Sequence, residues 1–172
     1  VAINPQRYWR FFQELNQLKN LTVAENIFMG RQPTKMGGQV DWKTMNRRAR
    51  ELLDSIHSDI SEKAQVSSLR VGQMKMGEIA KALSFDCDII IMDEPTPALT
   101  EKEVNSLFEI IADLKKKGVA IVYISHRLEE IMKIGDRLTL FRDGKYIDPV
   151  NVKDITHDQT VAMMVDREIP HT

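Results

Sequence analysis

The sequence predicts an α/β fold built on a parallel sheet, and three stretches carry that reading. Ile89-Ile90-Ile91-Met92 is a short continuous apolar run that ends in two adjacent carboxylates, Asp93 and Glu94. Val119-Ala120-Ile121-Val122-Tyr123-Ile124-Ser125 is a second such run, ending in His126, thirty-two positions after Glu94. Runs of this kind suit strands buried on both faces of a parallel sheet. Between them Thr100-Glu101-Lys102-Glu103 forms a capping box that opens a helix with Val104, Leu107, Phe108, Ile111 and Leu114 inward, and Lys115-Lys116-Lys117-Gly118 closes it. Strand, helix, strand is the crossover unit of a parallel sheet, whose ligands sit beyond the carboxyl ends of the strands. An acid pair and an imidazole at two such ends are the parts needed to hold a metal-bound phosphate and to activate or orient a water.

The remaining elements follow from local signals. Val1 to about Asn20 fits neither the helical nor the strand period, because Pro5 and polar breaks interrupt the aromatic cluster Tyr8, Trp9, Phe11 and Phe12. Leu21 to Met29 reads as a short helix, and Gly30 to Gln39, with Pro33, Gly37 and Gly38, as a surface loop. Asp41 caps a helix to about Ile56 in which Met45, Ala49, Leu52, Leu53 and Ile56 recur at helical spacing. Polar residues from His57 to Ser68 lead to a helix over about Gly72–Leu83, with Met76, Ile79, Ala80 and Leu83 on one face and Gly77 marking close packing or a weak spot. A helix over Leu128–Ile134 stops at Gly135, Asp143-Gly144 joins Leu138–Arg142 to Lys145–Ile147 as a hairpin, and Thr156 with Gln159 caps a last helix through Val165.

Composition narrows the class. With 172 residues, 42% hydrophobic and 28% charged, the chain fits one domain with a substantial core. The balance of 24 basic against 25 acidic residues, net charge -1, gives no electrostatic footprint for nucleic acid or an anionic membrane. The lysine run at 115–117 is a helix terminus rather than a nucleic-acid patch. A single cysteine, Cys87, excludes an internal disulfide framework and reads as a structural residue ahead of a buried strand. No window approaches the roughly 18 apolar residues of a membrane span, so membrane association is expected only through a partner.

The ordered motifs resemble the nucleotide-binding domain of ATP-binding cassette (ABC) transporters, and within that family the first cassette of bacterial sugar importers of the ribose, arabinose and galactose/methyl-galactoside type. The likeness rests on Phe12-Gln13-Glu14-Leu15-Asn16, Leu21-Thr22-Val23-Ala24-Glu25-Asn26-Ile27, Leu69-Arg70-Val71-Gly72-Gln73 with Glu78-Ile79-Ala80-Lys81-Ala82-Leu83, Ile91-Met92-Asp93-Glu94-Pro95-Thr96, Ile121-Val122-Tyr123-Ile124-Ser125-His126, and Phe141-Arg142-Asp143-Gly144. It implies a P-loop NTPase-like parallel sheet core with an α-helical subdomain, divided as residues 1–20 (an atypical N-terminus with the Q-loop match), 21–84 (helical subdomain and signature helix) and 85–172 (core portion).

The resemblance also implies roles. Gln13 matches the Q-loop glutamine that helps coordinate Mg²⁺, and Asp93 the Walker B aspartate that holds Mg²⁺ through water. Glu94 matches the catalytic base and His126 the switch histidine at the γ-phosphate. Leu69, Arg70, Val71, Gly72 and Gln73 fill the signature slot, a helix N-terminus aimed at ATP held by the opposing cassette. Pro97-Ala98-Leu99-Thr100 falls where the D-loop lies. The implied cofactors are ATP and Mg²⁺. The implied partners are membrane permease subunits, a second cassette and, indirectly, a periplasmic sugar-binding protein, with no nucleic acid. The implied location is the cytoplasmic face of the inner membrane, peripherally bound.

Departures from the family pattern set further expectations. No Gly-x-x-x-x-Gly-Lys-Ser/Thr loop occurs in the sequence. The N-terminal part of the cassette is therefore expected to be missing, the stretch Ile3–Arg10 to be no strand, and the ATPase assignment to be kept for the intact parent and withheld from this chain. Arg70 and Pro97 stand where the family usually has serine, and Asp166 where glycine is more usual. The main rival is a cassette-derived interaction module that does not bind ATP. A metal-dependent phosphohydrolase using Asp93 and Glu94 would need a further carboxylate or histidine cluster, and His57, His157 and His171 lie in polar connections or at the terminus.

Overall fold

The computed structural model describes residues 8–11, 17–85, 87–142 and 144–165. These fall into two compact units that divide between Ile124 and Ser125. In the first, Tyr8–Phe11 (β1), Ile89–Asp93 (β2) and Ala120–Ile124 (β3) form a parallel sheet in the order β1-β2-β3. The parallel strands and their crossover helix are as the apolar runs predict. The first strand is not: Tyr8 lies opposite Ile89 and Phe11 opposite Met92, so Tyr8–Arg10, the end of the stretch read as no strand, belong to one, while residues 3–7 lie outside the described residues. Its strand signal is tertiary, because β2 offers an unpaired backbone edge that Tyr8-Trp9-Arg10-Phe11 completes irrespective of its broken apolar pattern.

Burial on both faces holds for neither of the other strands in full. Ile90 and Met92 of β2 are buried, whereas Ile89, Ile91 and Asp93 on the opposite face are only partly so. The register carries this asymmetry to β3, where Val122 and Ile124 are 48% and 44% exposed. Glu101–Lys116 (α4) packs against β3, and the ends of α4 and of Val71–Leu83 (α3), through Leu114 and Leu83, meet Ile90 around one cavity. Cys87 is buried beside them. Among the described residues the face of Ile90 and Met92 is the better covered one.

The helical part is built from Val23–Ile27 (α1), Trp42–Ser55 (α2) and α3. Met45, Ala49, Leu53 and Ile56 of α2 are fully buried at helical spacing, with Asp41 accepting from the Thr44 backbone as cap. Thr22 and Glu25 form a reciprocal capping box at α1. Asn26, buried, donates to the carbonyls of Leu18 and Thr22 and accepts from the Leu18 N–H, which fixes the chain entering that helix. At the end of α2, His57 adopts φ +52°, the left-handed position that glycine usually fills, while the His57 and Ser58 amides donate to the carbonyls of Asp54 and Leu53. Arg50 then holds the following loop: its guanidinium donates to the carbonyls of Ser58 and Ile60 and pairs with Asp54.

Helix α3 departs from the single apolar face expected of it, since Gly72, Met74, Lys75, Met76, Gly77, Glu78, Ile79, Ala80 and Ala82 are all buried. Gln17 donates to the Met74 carbonyl, and a Cβ built on Gly77 would meet Gln17 Nε2 at 2.9 Å, so the glycine marks close packing. Burial pushes the Glu78 carboxyl above its ordinary value, against the pull of Lys81, Lys75 and a hydrogen bond from Gln17. Desolvation lowers the Lys75 ammonium, against the opposing pull of Glu78 and Asp93.

The second unit contains Leu128–Ile134 (α5), the antiparallel hairpin Arg137–Arg142 (β4) and Lys145–Asn151 (β5), and His157–Val165 (α6). Gly135 ends α5, Gly144 turns the hairpin with φ +73°, and Thr156 and Gln159 cap α6 reciprocally, as expected. The register shifts between Leu138 and Leu140, opposite the part of β5 that holds Pro149, where the missing amide removes a ladder donor. Asp143 of the turn lies outside the described residues.

Two stability outcomes follow. Arg50→Ala should cost about 1–2 kcal/mol in chemical denaturation, because two loop carbonyls lose their donor at a half-exposed site. For Glu78 the folded-state value lies above the unfolded one, so its contribution is complete below about pH 4.5 and is lost as pH rises through the folded value. Glu78→Gln should therefore gain stability relative to the parent as pH rises, and urea midpoints between about pH 5 and about pH 8 check this.

Candidate functional site

At the carboxyl end of β2 the chain turns within one residue. Asp93 is the last strand residue, and its register partner on β3 is Ile124. Glu94 adopts φ +44°, rare for a residue with a side chain, and its N–H donates to the Ile124 carbonyl at 2.9 Å. Pro95 and Thr96 are buried directly behind it, and the Leu99 amide donates to the Thr96 carbonyl to close a turn. The carboxylates are thus set by a strand in mid-sheet and a strained residue that the next strand anchors. Sequence reasoning finds the pair through the apolar run before it. The left-handed turn has no local signal, since neither glycine nor asparagine stands there.

The stretch Leu69 to Gln73, expected to fill the signature slot, runs into the start of α3. Arg70 is its exposed N-cap residue, and the Arg70 N–H donates to Gln73 Oε1 at 3.0 Å. Leu69 is half-buried, Val71 exposed and Gly72 buried. A Cβ on Gly72 would lie 2.7 Å from the Ala98 carbonyl oxygen and 3.1 Å from Glu103 Oε2. That places the first turn of α3 directly on the 97–100 loop and on the capping box of α4. A cavity of about 230 Å³ opens beside this contact, lined by Arg70, Gln73, Thr100 and Lys102 among others. Sequence spacing predicts the helix start but misses Ala98 and Glu103 as its partners, a contact between distant positions.

Electrostatics links α3 to the strand end, since the charge of Asp93 acts on Lys75 two residues past the signature segment. Among the described residues no group of three or more His, Cys, Asp or Glu side chains converges as a metal cage. Two adjacent carboxylates suit a hard cation whose other ligands are phosphate oxygens and water, as Mg²⁺ prefers. His126 belongs to the second unit and is exposed at the start of α5. Gln13, His171 and Asp166 lie outside the described residues.

Gly72→Ala should destabilise the chain by about 1–3 kcal/mol in thermal denaturation, because a backbone carbonyl cannot rotate away from the added methyl. Alanine's helix preference of about 1 kcal/mol opposes this, so the contrast with Gly77→Ala, where only the tip of Gln17 must move, isolates the steric contribution.

Comparison with known proteins bears on this arrangement. The family model described as ABC transporter matches residues 3–97. The chain is 51% identical over 158 residues to the ribose import ATP-binding protein RbsA of Clostridium perfringens, covering 91% of this chain and 32% of that protein. It is 51% identical over 157 residues to the galactose/methyl galactoside import ATP-binding protein MglA 2 of Photobacterium profundum, covering 91% and 31%. It spans about a third of the length of the curated relatives it matches. A nucleotide-free ATP-binding cassette from an ABC transporter superposes with a TM-score of 0.71 at 25% identity, over 94% of this chain and 69% of that one. A dimeric cassette in a post-hydrolysis state bound to ADP and Pi shares the fold at a TM-score of 0.72 and 23% identity, over 85% of this chain and 63% of that one. The family match begins at residue 3 and takes in the stretch ahead of Gln13 that sequence reading sets apart. It overturns the ground for withholding the enzyme assignment, since membership does not hang on a phosphate-loop string in this stretch. With a family match over more than half its length, the chain belongs to the ABC transporter family.

Proposed function

We propose that the chain is the ATP-binding part of a sugar importer, coupling ATP hydrolysis to carbohydrate uptake, with galactose, methyl galactoside or a related monosaccharide as cargo. The observation that carries the reading is the Asp93–Glu94 pair at the tip of a central parallel strand, with Glu94 turned into the left-handed region by its bond to Ile124. The division into residues 1–20, 21–84 and 85–172 belongs to the same reading, as do permease subunits, a second cassette and an indirect periplasmic binding protein as partners. No helix among the described residues is long and apolar enough to cross a membrane. Attachment at the cytoplasmic face through the permease is part of the proposal.

In this mechanism Asp93 and Gln13 would hold the Mg²⁺ that accompanies ATP. When bound, the ion would supply neutralisation of phosphate charge. Glu94 accepts a hydrogen bond from the attacking water and polarises it, His126 orients the γ-phosphate, and Leu69 to Gln73 present backbone amides to nucleotide on a facing cassette. Catalysis of this kind is mostly positioning, which gives the strained turn at Glu94 its value: the carboxylate is aimed before substrate arrives.

In the assembled transporter Glu94→Gln should slow ATP hydrolysis by about 10²–10⁴-fold while leaving nucleotide affinity within a few-fold of the parent, because the amide keeps the shape and loses the base. Parallel turnover and nucleotide-binding measurements check both halves. A parental hydrolysis rate would remove Glu94 from the role.

A further inference from the structure

The residues on both sides of His126 are tied to one buried acid. Glu130, in the first turn of α5, is only 4% exposed. Its Oε1 pairs with the Arg127 guanidinium at 2.7 Å, and its Oε2 accepts from Ser125 Oγ at 3.4 Å. Ser125 Oγ in turn accepts from the Arg127 N–H at 3.0 Å, and the Glu130 N–H donates to the Arg127 carbonyl. Ser125, Arg127 and Glu130 therefore form a closed ring around a histidine whose own side chain reaches solvent. A buried carboxylate is costly unless it is paired and hydrogen-bonded, and here Arg127 and Ser125 are its partners. Glu130 and Leu128 are the two buried residues of the helix, one charged and one apolar.

We infer that Glu130 is a positioning residue for His126, holding Ser125 and Arg127 so that the imidazole is presented in one orientation. The inference rests on the role proposed for His126, and its first test does not.

Amide hydrogen exchange of the full chain, followed by NMR at constant pH, reads the ring directly. Glu130→Gln, nearly isosteric, and Arg127→Met, which leaves the buried acid in place, should each accelerate exchange at Ser125–Arg127 by about tenfold or more while β4 and β5 change little. Unchanged exchange at these three amides, or acceleration spread equally through the second unit, would overturn the inference. The second test uses ATPase turnover of the assembled transporter. Glu130→Gln should lower kcat about tenfold with KM little changed, and the effect should vanish in a His126→Ala background, because residues acting as a unit are not additive. Full additivity of the two substitutions would also overturn it. If His126→Ala alone leaves turnover intact while the local exchange effect is present, the role of His126 fails and the positioning ring stands.

Discussion

The structure depends on one reversal of direction. At the end of β2 the chain must leave the sheet immediately after Asp93, and it does so through a left-handed Glu94 whose amide is held by the carbonyl of Ile124. A residue in that conformation is kept there only when its surroundings determine it, at a cost of order 1–3 kcal/mol. Here β3 alongside, with the buried Pro95 and Thr96 beyond, supplies the determination. Without the parallel register, the carboxylates would follow an ordinary strand exit and point elsewhere.

Much of this frame is visible in the sequence because it is local. Thr100–Glu103, Thr156–Gln159 and Asp41 announce helix starts through side chains that satisfy the first free amides, and each of these caps forms. The acid pair is legible because an apolar run points at it. What is not legible is set by partners distant in sequence. β1 owes its form to the edge of β2, and the exposure of Val122 and Ile124 in β3 has no counterpart in their apolar run. Lys75 and Glu78 look like the solvated side of an amphipathic helix, yet Gln17 and neighbouring segments bury them. His57 holds a helix terminus where glycine is the usual occupant, which Arg50 compensates by gripping the carbonyls that follow.

The second unit solves a similar problem with charge instead of strain. A single acid in α5 sets the three residues that enter the helix, and the hairpin and last helix are closed by their own turns and caps. The described bonds that hold the Glu94 backbone lie within the first unit, and those around His126 within the second. Glu94 depends on strands β2 and β3, and the neighbourhood of His126 on Glu130.

The absence of a side chain at Gly72 has a consequence beyond fit. With the Ala98 carbonyl where a methyl would sit, the first turn of α3 and the loop that follows the acid pair cannot slide past one another without opening a void. The backbone of the first turn of α3 therefore lies directly on the loop leading out of Glu94, with no side chain to separate them. One missing methyl group thereby removes a degree of freedom from the molecule.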